Sequence, residues 1–220
     1  MPVLTQNLRT AAAYLVWEAG YISRDVGIIA AGAGKLDAGT VLGRITKGAL
    51  TAVGAAGSPA PAGATITAAP AVTAGLTKVG VHTFTCDIAG ATGKWRHEDP
   101  DGVYIGTVTT GTEYTGQGLT LTITDAGTDP AVGEVMKVTV SQAEGSGKRV
   151  PLSLTAHDGS EVAESILYEG CDATLVDVQR TLTRRLAEVT GDELVWPAGI
   201  TPTQKAAALA ALADHHIIAR

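Results

Sequence analysis

The sequence predicts a mainly β fold of the α+β class. We expect a small, discontinuous β-rich core with a short C-terminal helix, interrupted by an inserted β-sandwich. Three observations lead to this prediction. Short Val- and Thr-rich segments recur between residues 80 and 140, a helix-capping pattern stands near the end of the chain, and the middle differs in charge from the two flanks.

The composition indicates one or two domains with a core of small side chains. The chain has 220 residues, of which 45% are hydrophobic but only 4% aromatic. Small side chains bury little apolar area, and burial contributes about 25 cal/mol per Å². Extensive sheets or a partner subunit must therefore supply part of the stability.

The charge balance argues against a nucleic-acid partner, because the formal net charge is −6 and such proteins present a basic surface. Residues 57–145 hold four basic and nine acidic side chains, against twelve and thirteen in the flanks. No apolar stretch approaches the ~20 residues that a membrane span needs, and we expect no signal peptide. The protein is expected to be made in the cytoplasm, with Cys86 and Cys171 as separate buried thiols.

The first domain segment is predicted over residues 1–54. Residues 1–20 have only a weak helical pattern, and we expect them to form an N-terminal arm. Residues 26–29 are apolar and β-prone, glycines between 32 and 39 indicate turns, and residues 40–46 are typical of a strand.

The inserted domain, an Ig-like β-sandwich, is predicted over residues 55–147. It begins with a Pro- and Gly-rich linker or loop and continues with short strands separated by turn residues. One of them alternates apolar and polar residues, which indicates a strand with one wet face. The predicted strands are 80–88, 93–97, 103–108, 119–124 and 135–140.

The last segment, residues 148–220, is predicted to complete the first domain. Residues 158–160 form an Asp-Gly-Ser turn, and residues 165–168 are typical of a strand. Residues 174–190 fit both a helical stripe and a Val/Thr-rich strand pair, so their periodicity leaves the choice open.

A helix near the C-terminus has a clearer signal. Thr201 is placed as N-cap, Pro202 at the first helical position and Gln204 at the third, which together form a capping box. We expect Leu209 and Leu212 to face inward. The two following histidines stand where a cation interacts favourably with the helix dipole.

No pattern predicts catalysis, a cofactor or a metal. The glycine-rich segments 27–35 and 145–148 lack the spacing of a phosphate-binding loop. Residues 97–102 place a histidine beside carboxylates, and Asp125 and Asp129 are candidates to complete a hard-cation site. We interpret residues 99–102 instead as a turn, because Pro100 fixes φ and Gly102 accepts positive φ.

The two flanks together resemble the lambda-type head decoration proteins of tailed bacteriophages. The resemblance depends on order and spacing: Ser-Arg-Asp at 23–25, an Ala-Gly-Thr-Val-Leu-Gly run at 38–43, the turn at 158–160, Leu-Val-Trp-Pro at 194–197 and a near-terminal Ile-Ile. Some members also resemble this chain in carrying an inserted β-domain. The resemblance favours strands over residues 174–190.

The resemblance implies a homotrimer on the outer surface of the expanded phage head, stabilising the shell against internal pressure. The partner would be the major capsid protein, and the N-terminal arm would contact it. The implied arm residues are Pro2, Val3, Leu4, Thr5, Leu8, Tyr21, Ser23 and Arg24. The implied trimer-interface residues are Ala187, Glu188, Val189, Trp196 and Pro197.

A second hypothesis makes the inserted sandwich an adhesion module for host or environmental glycans, with the trimer as its mount. Trp95, Tyr104 and Tyr114 are its candidate sugar-stacking residues. The simpler interpretation places these three aromatic side chains in the sandwich core.

Overall fold

The computed structural model describes residues 10–220, so Pro2, Val3, Leu4, Thr5 and Leu8 of the expected arm lie outside the described residues. The chain divides into two compact units. We call the described part of Met1–Gly48 with Glu144–Arg220 the split unit, and Ala49–Ala143 the inserted unit. The assignment of 1–54, 55–147 and 148–220 as separately folding domains stays a prediction.

The described residues are mainly strands, as the sequence predicted, with one α-helix, α1, at Pro202–Asp214. The split unit begins with β1 Leu15–Glu18, β2 Arg24–Ile29, β3 Gly34–Leu36 and β4 Val41–Arg44. The next nine strands are β5 Lys47–Ala56, β6 Ala64–Ile66, β7 Ala71–Val72, β8 Gly80–Ile88, β9 Lys94–Glu98, β10 Tyr104–Thr109, β11 Glu113–Gly116, β12 Leu119–Asp125 and β13 Val135–Glu144. The split unit ends with β14 Arg149–Pro151, β15 Ala163–Leu167, β16 Cys171–Ala173, β17 Val178–Thr183, β18 Ala187–Val189 and β19 Ile217–Ala219.

Five strands of the split unit close into a small barrel in the order β14-β2-β17-β15-β4. Only the β14–β2 pair of this barrel is parallel. Closure leaves the barrel without an open edge, and alternate residues point inward. The large inward side chains are fully buried in one cluster: Ile29, Leu42, Leu167 and Leu182.

A three-stranded sheet with α1 forms the second half of the split unit. Its order is β1-β18-β19, with β18 antiparallel to β1 and parallel to β19. Tyr14, Val189, Leu212 and Ile217 are buried together in this half. Residues 174–190 contain β17 and β18, so the interpretation of this segment as strands is confirmed.

The N-terminal arm expected over residues 1–20 extends too far along the chain. Tyr14 is buried, and its hydroxyl lies 2.6 Å from Thr183 Oγ1. The strand Leu15–Glu18 that follows is paired with β18. This strand has only four residues, which is too short for a clear period of two, so the sequence pattern did not show where the core begins.

The inserted unit consists of two sheets around one core. The larger sheet has the order β10-β9-β8-β13-β5, and the smaller has β11-β12-β6 with β7 also paired to β12. Both sheets contribute to one buried cluster, which includes Phe84, Trp95, Leu119, Ile123 and Met136. The five strands predicted for this region are confirmed as β8, β9, β10, β12 and β13.

Strand β5 was not predicted. It spans Lys47–Ala56 and is the edge neighbour of β13 in the larger sheet. Its sequence is rich in alanine and glycine, which have low β propensity. Pairing with a long neighbouring strand therefore decides its conformation.

The predicted helix and its capping box are confirmed. Thr201 Oγ1 accepts a hydrogen bond from Gln204 N at 3.3 Å, and Gln204 Oε1 accepts one from Thr201 N at 2.9 Å. Leu212 is buried, and Leu209 packs partly buried against the same cluster. The cap thereby fixes where the apolar face of α1 begins.

Replacing Thr201 by alanine is expected to lower the free energy of unfolding of the split unit by about 1 kcal/mol, because an N-cap oxygen is lost. Urea unfolding followed by circular dichroism measures the effect. Thr203→Ala is the matched control, since Thr203 is an exposed threonine in the first turn of the same helix. An equal loss in both variants would contradict the assigned cap.

Candidate functional site

The outer face of the three-stranded sheet carries an exposed apolar row. Trp17 on β1 is paired with Glu188 on β18, and Glu188 is paired with Ile218 on β19. Trp17 is 58% exposed and Ile218 44% exposed. Ala187 and Val189 point to the opposite face and are buried in the core. The row therefore has an apolar side chain at each end and a carboxylate in the middle.

A shallow cavity of about 170 Å³ opens on this face. Glu188 is ion-paired with Arg220 beside it. Within the described chain, no further strand pairs with the outer edges of β1 and β19. The cavity is lined by Trp17, Leu186, Ala187, Glu188, His216, Ile218 and Arg220.

The short 3-10 helix Gly20–Ile22 continues the exposed surface beyond β1. Tyr21 is 96% exposed, and Ile22 is also exposed. An aromatic ring held almost free of its own chain is typical of an interaction surface. Of the expected arm residues that the structure describes, Tyr21 is the one presented to solvent.

Ser23 and Arg24, also expected in the arm, interact with their own chain. Ser23 is fully buried; its Oγ donates to the carbonyl oxygen of Leu186 and accepts from Ala19 N, each at 2.8 Å. Arg24 is ion-paired with Glu18. These contacts fix the corner between β1 and β2, and so position Tyr21.

The expected trimer-interface residues lie in two places. Ala187 and Val189 are covered by the chain's own core, whereas Glu188 is partly exposed on the sheet face. Trp196 and Pro197 are half-buried beside a second cavity of about 170 Å³. The amino group of Lys205 on α1 lies 5.4 Å from the centre of the Trp196 ring.

The Asp-Gly-Ser turn at 158–160 lies directly against the barrel. The carbonyl oxygen of Asp158 accepts hydrogen bonds from Thr46 N and Lys47 N, each at 2.8 Å. Asp158 Oδ1 accepts from Ser160 N at 2.9 Å. The approach is so close that a Cβ on Gly43 would lie 2.2 Å from the carbonyl oxygen of Ser160.

Arginines near the barrel form ion pairs within the chain. Glu164 lies 3.3 Å from Arg149, 3.4 Å from Arg184 and 3.8 Å from Arg44. Arg184 also donates to Asp25 at 2.6 Å, and this hydrogen bond lowers the pKa of Asp25. The network links barrel strands at their surface.

Residues 99–102 of the acidic segment form a turn after β9, as interpreted from the sequence. Asp99 Oδ1 accepts from Asp101 N and Val103 N, each at 2.9 Å, and Lys78 Nζ lies 3.0 Å from Asp99 Oδ2. The hydrogen bond from Val103 N is the main cause that lowers the pKa of Asp99 to about 2. Among the described residues, no group of three His, Cys, Asp or Glu side chains has a metal-binding arrangement.

The three candidate sugar-stacking residues are not brought together on a surface. Trp95 is fully buried, and Tyr114 packs partly buried against the same core. Tyr104 is exposed. The interpretation as sandwich core is confirmed for Trp95, and a flat aromatic platform made of all three is excluded by this burial.

The two cysteines are buried and unpaired, Cys86 in the inserted unit and Cys171 in the split unit. Burial raises the pKa of both thiols. A raised pKa keeps a thiol protonated and unreactive at neutral pH. In residues 10–220, no helix is long and apolar enough to cross a membrane.

A family model described as Bacteriophage lambda head decoration protein D matches residues 3–217. The chain belongs to this family. The resemblance seen in the order and spacing of short motifs is thereby confirmed. Membership identifies the chain as a phage head decoration protein, a structural component of the virion capsid.

No curated protein matches the chain. Two crystal structures of Xanthomonas campestris FlgL, in space groups H3 and C2, are each 16% identical over 47% of this chain, with TM-scores of 0.33 and 0.32. The match spans 34% and 33% of the FlgL chains, about a third of their length.

Sequence reasoning missed the exposed row at Trp17 and Ile218. The only local signal is that Val16 and Trp17 stand together in a short apolar run near the start of the chain. Their exposure depends on the pairing of β1 with β18.

Proposed function

We propose that this protein is a cementing protein that binds, as a homotrimer, to the outer surface of the expanded phage head and stabilises it against internal pressure. The family match over residues 3–217 supports the head-decoration role. Trimer formation and binding to the expanded head are proposed from the exposed sheet face at Trp17, Glu188 and Ile218. This sheet has unpaired edges in the described chain.

The major capsid protein is proposed to bind at the edge of β1. An unpaired edge offers main-chain N–H and C=O groups to an additional strand. Residues 2–9 directly precede the described chain, and Trp17 and Tyr21 provide large exposed aromatic surfaces next to that edge. Aromatic side chains of this kind dominate binding energy in many interfaces.

The homotrimer is proposed to form around β18 and the segment 196–197. Glu188, Trp196 and Pro197 are partly exposed in the described chain and are available to a second copy. Ala187 and Val189 would act indirectly, by fixing β18 through their burial in the core. The core of small side chains supports a role for subunit contacts in stability.

The inserted unit is proposed to be an Ig-like module that does not take part in head binding. Its two sheets enclose a core of their own. Residues 57–145 carry nine acidic and four basic side chains. This net negative charge favours solubility and disfavours contact with acidic partners.

Head binding is tested by mixing purified protein with expanded and unexpanded heads and imaging both, with the free oligomer's mass measured by light scattering. We expect a trimer that decorates expanded heads alone. A variant lacking residues 2–9 should stay folded, because Tyr14 and β1 are retained, but lose decoration. Undiminished decoration by that variant would contradict the proposal that residues 2–9 contact the capsid.

Replacing Trp17 by alanine is expected to weaken binding to expanded heads by at least about tenfold, since an exposed aromatic anchor is lost. Leu175→Ala is the matched control, because Leu175 is an exposed large apolar residue elsewhere in the split unit. Titration of fluorescently labelled protein onto expanded heads measures both. Equal affinities for the two variants would contradict the proposed contact.

A further inference from the structure

Two buried histidines lie side by side in the inserted unit. His82 on β8 and His97 on β9 are both fully buried, and His82 Nδ1 lies 3.0 Å from His97 Nε2. The other ring nitrogens also have partners. His82 Nε2 lies 2.9 Å from the carbonyl oxygen of Lys78, and His97 Nδ1 lies 3.0 Å from the hydroxyl of Tyr114. Three hydrogen bonds thus form one continuous chain.

The partner at one end of the chain decides where every proton lies. A carbonyl oxygen can only accept, so His82 Nε2 must carry a proton and donate to Lys78 O. In neutral His82 the other nitrogen accepts, so His97 Nε2 carries the proton between the rings. His97 Nδ1 then accepts from the Tyr114 hydroxyl. With both rings neutral, each bond has one donor and one acceptor.

An additional proton on His97 Nδ1 reverses the hydrogen bond to Tyr114. The Tyr114 hydroxyl would have to turn its hydrogen away and accept instead of donate, and a positive charge would stand in an apolar core. The ring of Phe84 stacks on His97 at 4.4 Å between centroids. The pKa of His97 is lowered to about 4, mainly by burial and also by the neighbouring His82, while Asp99 opposes the shift.

The neighbouring charged groups do not neutralise such a cation. Asp99 is already bonded to Lys78, and Lys78 is also ion-paired with Asp101. Arg96 and Glu98 flank His97 on β9 and are ion-paired with each other, on the strand face opposite the buried ring. The charged groups on the other strands packed here, Glu113 on β11 and Lys137 on β13, are exposed.

The hydrogen bond between His97 and Tyr114 joins the two sheets. His97 is on β9 of the larger sheet, and Tyr114 is on β11, which is an edge strand of the smaller sheet. In the described chain β11 is otherwise held in its sheet by β12 alone. The polar chain therefore contributes directly to the attachment of an edge strand.

We propose that the chain through His82, His97 and Tyr114 is an acid-sensitive latch, which holds the two sheets of the inserted unit together at neutral pH and releases β11 on proton uptake. The unfolded state binds more protons than the folded state below the ordinary histidine pKa of about 6.5. The contribution of the neutral hydrogen-bonded chain to the free energy of unfolding is therefore fully present above pH 6.5, and it is lost as the pH decreases toward 4. In the split unit, the described histidines His157, His215 and His216 are not fully buried.

The test uses the full chain with Trp17→Phe and Trp196→Phe, which leaves Trp95 as the fluorescent reporter of the inserted unit. Urea unfolding is measured at pH 7.5 and 4.5. From the lowered pKa of His97, we expect the unfolding constant of the inserted unit to be roughly 50-fold larger at pH 4.5. Adding His157→Gln, a control at an exposed histidine, should leave the ratio of the unfolding constants at pH 4.5 and pH 7.5 unchanged.

Adding His82→Leu, His97→Phe and Tyr114→Phe together should reduce the ratio to less than about threefold, because all three polar side chains of the chain are replaced by apolar ones. The same 50-fold ratio in this variant would overturn the latch. If the variant does not fold, NMR of the native histidines decides. We expect the His97 imidazole to stay neutral until the Tyr114 signal shifts; titration of His97 near pH 6.5 with an intact fold would overturn the proposal.

Discussion

Replacing Trp95 by alanine is expected to lower the free energy of unfolding of the inserted unit by about 3–5 kcal/mol, because a large, fully buried ring is removed. The indole N–H also donates to Thr110 Oγ1 at 3.0 Å. Thr110 keeps its own bond to the carbonyl oxygen of Gly93 at 3.1 Å, so the main loss is packing. Hydrogen exchange read by mass spectrometry measures the change segment by segment.

The same variant tests whether the two units are energetically separate. Exchange should increase within Ala49–Ala143 and remain unchanged in Glu144–Arg220. On the proposed function, binding to expanded heads should also be retained. Tyr104→Ala is the matched control, since this aromatic residue is 57% exposed and its loss should change stability by less than about 0.5 kcal/mol. Increased exchange throughout both units would show that they unfold together.

Replacing Gly43 by alanine is expected to destabilise the split unit by about 3 kcal/mol, which is the range of severe overpacking. The added Cβ would lie 2.2 Å from the carbonyl oxygen of Ser160 and 2.6 Å from its carbonyl carbon. These are backbone atoms, which cannot move aside as a flexible side chain can. Gly43 is also paired on both sides, with Val150 on β14 and Ala163 on β15.

Gly191→Ala is the matched control for the Gly43 variant. A Cβ at Gly191 would meet its nearest neighbours at 3.6 Å, an ordinary contact distance, and this glycine has no positive φ. Hydrogen exchange read by mass spectrometry over the segments of the split unit compares the two. A loss at Gly43 no greater than at Gly191 would mean that the turn at 158–160 moves away from the barrel at little cost.

The sequence predicted elements best where local pattern and local chemistry coincide. The strand Gly80–Ile88 has the predicted bounds, and the helix begins at Pro202 because Thr201 and Gln204 satisfy each other's backbone N–H groups. Both signals are contained within a few residues. The family was also evident from the sequence, since it depends on the order and spacing of short motifs along one chain.

The candidate site was less predictable because it depends on pairing between distant segments. Ser23 was expected in a capsid-contacting arm, yet it is fully buried beside Leu186. Trp17 was not singled out, yet the pairing of β1 with β18 leaves its ring exposed. In each case the environment of the side chain comes from a segment more than a hundred residues away in the sequence, so local periodicity could not predict it.

The sequence by itself determined that this is a mainly β phage head decoration protein with a capped C-terminal helix, because capping, alternation and motif order are local properties. The tertiary structure alone decided which residues face solvent on β1, how closely Gly43 approaches the turn at 158–160, and that His82 and His97 share a hydrogen bond. These features arise where strands distant in sequence come into register, since only then are their side chains covered, exposed or paired.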